Sequence, residues 1–138
     1  MVNLFSNEYA SVYFDKELDS LYLKYFKKVP SHNDFLIVNE AVLEGFRTQS
    51  THKFIADVRN MGIISLESQQ WVVEVLIPKM VAHLNGKTLL HAQLLDPSEV
   101  MSKVSASNIK NKSEKKMEGF QLYQFTKEEK LRDFIKEN

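Results

Sequence analysis

The residues best placed to do chemistry lie in one short run, Asp57-Val58-Arg59-Asn60-Met61-Gly62, with Ser65 just beyond it. Phe54-Ile55-Ala56 precedes the run and is apolar on both faces until the acid appears, as expected of a central parallel strand. Asp57 therefore falls near the carboxyl end of a strand, where ligands of open α/β sheets collect. An exposed helix start beside Arg59 could hold an anion or a phosphorylated Ser65. A plainer alternative uses the same residues: Asp57 pairs with Arg59 or caps the turn, and Ser65 caps the helix that follows. A lone acid after a buried strand also has the form of a phosphoryl-accepting aspartate. That chemistry needs further acids for Mg²⁺ and a cation for the phosphoryl group, and the first strand offers only Asp15.

Elsewhere the chemistry-bearing residues are dispersed. His32, His52, His83 and His91 belong to different elements and form no HxxxH or HExxH helix, so neither a metal site nor a general base is indicated. The chain has no GxSxG elbow, Walker loop or GxGxxG turn. It has no cysteine, which removes disulfides, thiolate metal sites and Cys nucleophiles together. No catalytic residue or cofactor is expected; a convergent acid–His or Ser–His pair in the folded chain would reopen the enzyme reading. Lys103, Lys110, Lys112, Lys115 and Lys116 face only Glu114 in a modestly basic stretch without interleaved aromatics, which reads as a solvated face. Tyr9, Tyr13, Tyr22 and Tyr25 could line an interface at a sheet edge, although helix packing over that face explains them equally well. Trp71, Leu76, Ile77 and Met80 could close over an apolar cavity or meet a second subunit, with core packing the simpler account.

The elements that must position these residues follow from periodicity. Glu8 to Asp15 and Ser20 to Phe26 alternate, and the polar Lys16-Glu17-Leu18-Asp19 between them makes an antiparallel hairpin. Pro30 stops the second strand, and Ser31-His32-Asn33-Asp34 resembles a capping box. Behind it Phe35, Val38, Ala41, Val42, Gly45 and Phe46 recur at helical spacing up to about Gln49. Ser65 caps a long helix that Pro78 should kink, and Asn85-Gly86 supplies a left-handed stop. Thr88 to Leu95 is a further apolar strand, and Asp96-Pro97 introduces a short helix through Val100, Met101 and Val104. Phe120 to Phe125 is the last strand, and Thr126-Lys127-Glu128-Glu129 opens a last helix. The order β-β-α-β-α-β-α-β-α predicts an α/β fold with a single mixed, mainly parallel sheet of about five strands.

The chain has 138 residues, which suits one domain over residues 1–138. Its 18 basic and 18 acidic residues cancel, so no global field draws in nucleic acid or an anionic membrane. No segment approaches the ~20 apolar residues of a membrane span, nor does the N-terminus read as a signal peptide, and a cytoplasmic protein is expected.

Several phrases share a pattern. Val12-Tyr13-Phe14-Asp15 with Leu21-Tyr22-Leu23, Phe54 through Arg59, Met61-Gly62-Ile63-Ile64-Ser65, Gln70-Trp71 and Ile77-Pro78 together resemble small bacterial STAS-like proteins. These are relatives of the anti-sigma-factor antagonists, grouped with the SEC14-like fold, and the resemblance spans nearly the whole chain. It implies a STAS-like domain. In the antagonists a serine beside an aspartate in the loop after the equivalent strand is phosphorylated by a partner kinase. Here Asp57 matches the acid, whereas Val58 and Arg59 stand where the serine would be. The expected function is a non-catalytic regulatory or protein-interaction module. Its candidate surface is Asp57, Arg59, Asn60, Met61, Gly62, Ser65 and Trp71, and its partner is another protein, a second copy included. The alternative is a binder of a small apolar or anionic-headed ligand such as a lipid or nucleotide.

Overall fold

Alternation in the N-terminal third is realised as a β-meander. A computed structural model describes residues 2–97 and 119–138. Strand β1 (Val2–Ser6) pairs antiparallel with β2 (Ala10–Asp15), which pairs antiparallel with β3 (Ser20–Tyr25). The chain then crosses through helix α1 (His32–Thr48) to β4 (Lys53–Asp57), which runs parallel to β3. A helical run of three pieces follows: α2 (Leu66–Trp71), a π turn (Val72–Leu76) and α3 (Ile77–His83). Strands β5 (Leu89–Leu94) and β6 (Phe120–Phe125) extend the sheet in parallel, and α4 (Glu128–Glu137) closes the described chain.

The result is an α/β fold with one mixed sheet of six strands in the order β1-β2-β3-β4-β5-β6, each beside its sequence neighbour. Two expectations need correcting. The sheet has six strands among the described residues instead of about five, because Val2–Ser6 adds an edge strand ahead of the hairpin. The described order therefore opens β-β-β, not β-β. The expected helix through Val100, Met101 and Val104, and the lysine stretch after it, lie outside the described residues.

Pleating divides the side chains between two cores. Phe54, Ala56 and Val58 join the larger one with Val12, Leu23 and residues of α1, the π turn and α3. Ile55 points the other way, to a smaller core with Tyr22, Leu90, Ala92 and the α4 residues Leu131 and Ile135. Helix packing, not an exposed tyrosine edge, accounts for most of the tyrosines. Tyr13 and Tyr22 stack at 4.9 Å on the α4 side, and Tyr25 is buried under α1, where its Oη accepts from Asn39 Nδ2 at 3.0 Å.

Local signals explain the helices. Ser31 caps α1, its Oγ accepting from Asp34 N at 3.1 Å, while Asp34 turns its carboxylate to the Ser31 hydroxyl at 2.7 Å. Ser65 caps α2 in the same way, accepting from Ser68 N at 3.0 Å. Pro78 sits in the first turn of α3, and the run before it widens into the π turn, which accommodates the missing N–H without ending the helix. Asn85 and Gly86, at φ of 51° and 102°, provide the left-handed stop. The last helix departs from expectation: Lys127, not Thr126, occupies its N-cap position and makes no side-chain cap bond. Glu128 and Glu129 in its first turn favour the helix dipole instead.

Candidate functional site

The structure places Asp57 as the last residue of β4, on the α4 side of the sheet. Its carboxylate is 3% exposed and held by a fork from Arg59, with Nε to Oδ1 at 2.9 Å and a terminal nitrogen to Oδ2 at 2.6 Å. The Arg59 backbone N–H adds a third bond at 3.2 Å, so Asp57 both pairs with Arg59 and caps the turn. Arg59 also reaches Glu128 of α4 at 3.4 Å. Bonding to Asp57 raises the pKa of the guanidinium above its ordinary value, and Tyr22 nearby is pushed up to about 12, first by burial and then by the Asp57 charge. This is a structural clamp between β4 and α4, with its anion-binding groups already used.

The remaining residues of the candidate surface part company with that clamp. Asn60 is exposed at the turn, but Met61 is only 4% exposed and belongs to the larger core, which removes it from the surface. Gly62 adopts φ +71°, where a side chain is strained, and lies over the stem of Lys28. Gly62→Ala should therefore cost about 1–2 kcal/mol in chemical denaturation; an unchanged midpoint would show that the turn relaxes. Ser65 is exposed at the start of α2. Trp71 is half-buried, meeting Phe35 edge-on at 6.5 Å, and borders a groove with Glu40, Glu44, Arg47 and Lys79. Asp57 with Arg59, and Ser65 with Trp71, thus serve opposite faces of the sheet.

Two features here were not visible in the sequence, and a third bears on the cavity that the helix carrying Trp71, Leu76 and Ile77 was expected to close over. Ile63 and Leu66, flanking Ser65, are 40% and 72% exposed in a stretch whose neighbours Met61 and Ile64 are buried. The second feature is a Ser–His pair. His32 Nδ1 lies 2.8 Å from Ser68 Oγ across 36 residues of sequence, and Ser65 Oγ donates to the same Ser68 oxygen at 2.9 Å. These side chains line a surface pocket of about 320 Å³ with Lys28, Val29, Pro30 and Ile63. The Ser–His pair that would reopen an enzyme reading is thus present, but its serine is the buried Ser68, and no carboxylate pairs with His32 among the described residues to complete a triad; Asp34, two positions on, bonds Ser31.

The third feature is a cavity of about 40 Å³ beneath the π turn, lined by Leu23, Phe35, Phe54, Val72, Leu76 and Ile77, with Tyr25, Asn39, His91 and Gln93 as its polar members. His91 stacks on Phe54 at 4.5 Å and donates Nδ1–H to the Phe54 carbonyl at 2.9 Å, and burial holds its pKa down to about 4. That volume suits one or two waters and is far below the several hundred cubic ångströms of a typical ligand site. Among the described residues no group of three His, Asp or Glu side chains is placed to hold a metal, and no helix is long and apolar enough to cross a membrane. Compared with known families, with curated proteins and with solved structures, the chain shows no match.

Proposed function

We propose that the chain is a non-catalytic, cytoplasmic regulatory or protein-interaction module of STAS-like type, which binds another protein through the loop from Asn60 to Leu66. The observation that carries this reading is the exposure of Ile63 and Leu66 around Ser65, at the carboxyl end of the parallel strands. Adjacent large aliphatic side chains left in water beside buried ones are the composition of a contact surface. The antiparallel hairpin feeding parallel strands supports the STAS-like part, together with the sequence phrases that resemble that family. The proposed surface keeps Asn60, Gly62 and Ser65, gains the exposed Ile63 and Leu66, and leaves out Asp57, Arg59, Trp71 and the buried Met61.

A photo-reactive amino acid at position 66 tests the proposal in host cells. One discrete cross-linked product is expected, lost on Ile63→Asp and not formed when the reactive residue is moved to exposed Asp133 on α4. Identical products from positions 66 and 133 would show that this loop is ordinary surface.

The second reading, a small apolar or anionic-headed ligand, is favoured by the cavity under the π turn, since π turns recur at functional sites. Its present volume requires the helical run over it to shift before a lipid or nucleotide could enter. Native mass spectrometry of the purified chain with added lipids tests this: a bound mass supports it, and an unchanged apo mass ends it.

A further inference from the structure

Ser65, Ser68 and His32 form a hydrogen-bonded row in the pocket. Ser65 Oγ accepts from Ser68 N–H and lies 2.9 Å from Ser68 Oγ, which in turn lies 2.8 Å from His32 Nδ1; in the tautomer that carries the His32 proton on Nε2, Ser68 donates to Nδ1 and Ser65 donates to Ser68. Ser65 is the exposed hydroxyl of the three groups and Ser68 is only 2% exposed, so the chain runs from a solvent-facing nucleophile through a buried hydroxyl to a base. A serine becomes a useful nucleophile when such a base takes its proton. Phosphoryl transfer needs carboxylates for its metal, and none is among the described residues lining the pocket. Val29, Pro30, Ile63 and Ile64, with Lys28 also lining the pocket, instead give it an apolar wall fit for a short acyl chain.

We propose that Ser65 is an activated nucleophile, with His32 as its base through Ser68, and that it accepts an acyl group from a short acyl thioester. Ser65 Oγ forms the ester bond to the carbonyl carbon and the carbon–sulfur bond breaks. The Ser65 proton moves to Ser68 as the Ser68 proton moves to His32, and the thiolate leaves with the proton that His32 returns. The chain is the acceptor of this reaction and does not turn over, and the modification places an acyl group between Ile63 and Leu66. Its regulatory use rests on the interaction surface proposed above. The chemistry does not, because modification is read by mass while the surface is read by cross-linking at position 66.

The test incubates the intact chain with the butyryl thioester of N-acetylcysteamine and follows its mass, with peptide mapping of the product. One butyryl group on Ser65 is expected. Ser65→Asn, which keeps a good N-cap but no nucleophile, should abolish it, and His32→Gln and Ser68→Ala should each slow it by about 100-fold. The proposal is overturned if no adduct forms, if the adduct persists in Ser65→Asn or maps to lysines, or if His32→Gln acylates at the original rate.

Discussion

Replacing Arg59 with Met should lower the unfolding free energy by about 2–3 kcal/mol, far more than an exposed loop residue normally costs. Asp57 is 3% exposed, and three of its hydrogen bonds come from Arg59, two of them from the guanidinium. Removing that group leaves a buried carboxylate whose remaining partner among the described residues is the backbone N–H of residue 59, the situation in which breaking a pair costs more than the pair contributes. Arg59 is partly exposed, and water admitted on its side holds the figure below the range for a fully buried pair. The double variant Asp57→Asn, Arg59→Met removes the charge as well, and should recover at least half of the loss. Urea unfolding of the four species completes the cycle. Additive losses would mean that Asp57 does not depend on Arg59. The same reasoning disqualifies Arg59→Glu as a probe of partner binding: it sets a second carboxylate against Asp57 and Glu128, so a lost interaction would report a damaged fold. Leu66 is the cleaner position, because it is 72% exposed.

What the sequence revealed and what it concealed follow from the range of the forces involved. Helix α1 was legible to its ends because Ser31 and the apolar repeat from Phe35 to Phe46 are local signals, and α1 begins and stops where they indicate. Asp57 at a strand end, the Ser65 cap and the Asn85-Gly86 stop are local in the same sense. Strand β1 was not legible. Its pairing with β2 shifts register between Asn3 and Phe5, which breaks the alternation that would mark it, and Leu4 depends on a glycine in another element. A Cβ on Gly45 of α1 would stand 3.1 Å from Leu4 Cδ1, so the close approach of strand and helix relies on that missing atom. Thr126 misled because a plausible cap residue was out of phase by one position with the turn that formed.

The candidate site shows the same division. Asp57, Arg59 and Ser65 were found by type and spacing, but the face each serves depends on strand parity and on α4, which docks from the far end of the chain. His32 and Ser68 meet only because two capped helix starts, one before β4 and one after it, are brought together at one end of the sheet. No spacing rule reaches across that distance. Each capping serine was readable alone; their convergence around His32 belongs to the topology.

Acid should destabilise the chain well above the pH at which carboxylates titrate, and His91 should be the main cause. Its imidazole lies buried between Phe54 and Phe120, at 4.5 and 6.2 Å, with the Phe54 carbonyl as its hydrogen-bond partner. Burial opposes the charged form, and the pKa falls from 6.5 to about 4. Above pH 6.5 the residue is neutral whether folded or unfolded and contributes no pH dependence. As the pH falls from there, the unfolded chain takes up a proton that the folded chain refuses, so stability drops by about 1.4 kcal/mol per unit until the folded pKa is reached. The full loss is about 3 kcal/mol, and about 2 kcal/mol of it falls between pH 6.5 and 5, before most carboxylates respond. His52, also depressed by burial and by the nearby Lys53, adds to the slope in the same sense. Urea unfolding at half-unit steps separates the two, because His91→Leu should flatten most of the slope and His52→Gln only a little. Parallel curves for the parent chain and His91→Leu would show that the imidazole accepts its proton in place, with the cavity beside it admitting the water that makes this possible.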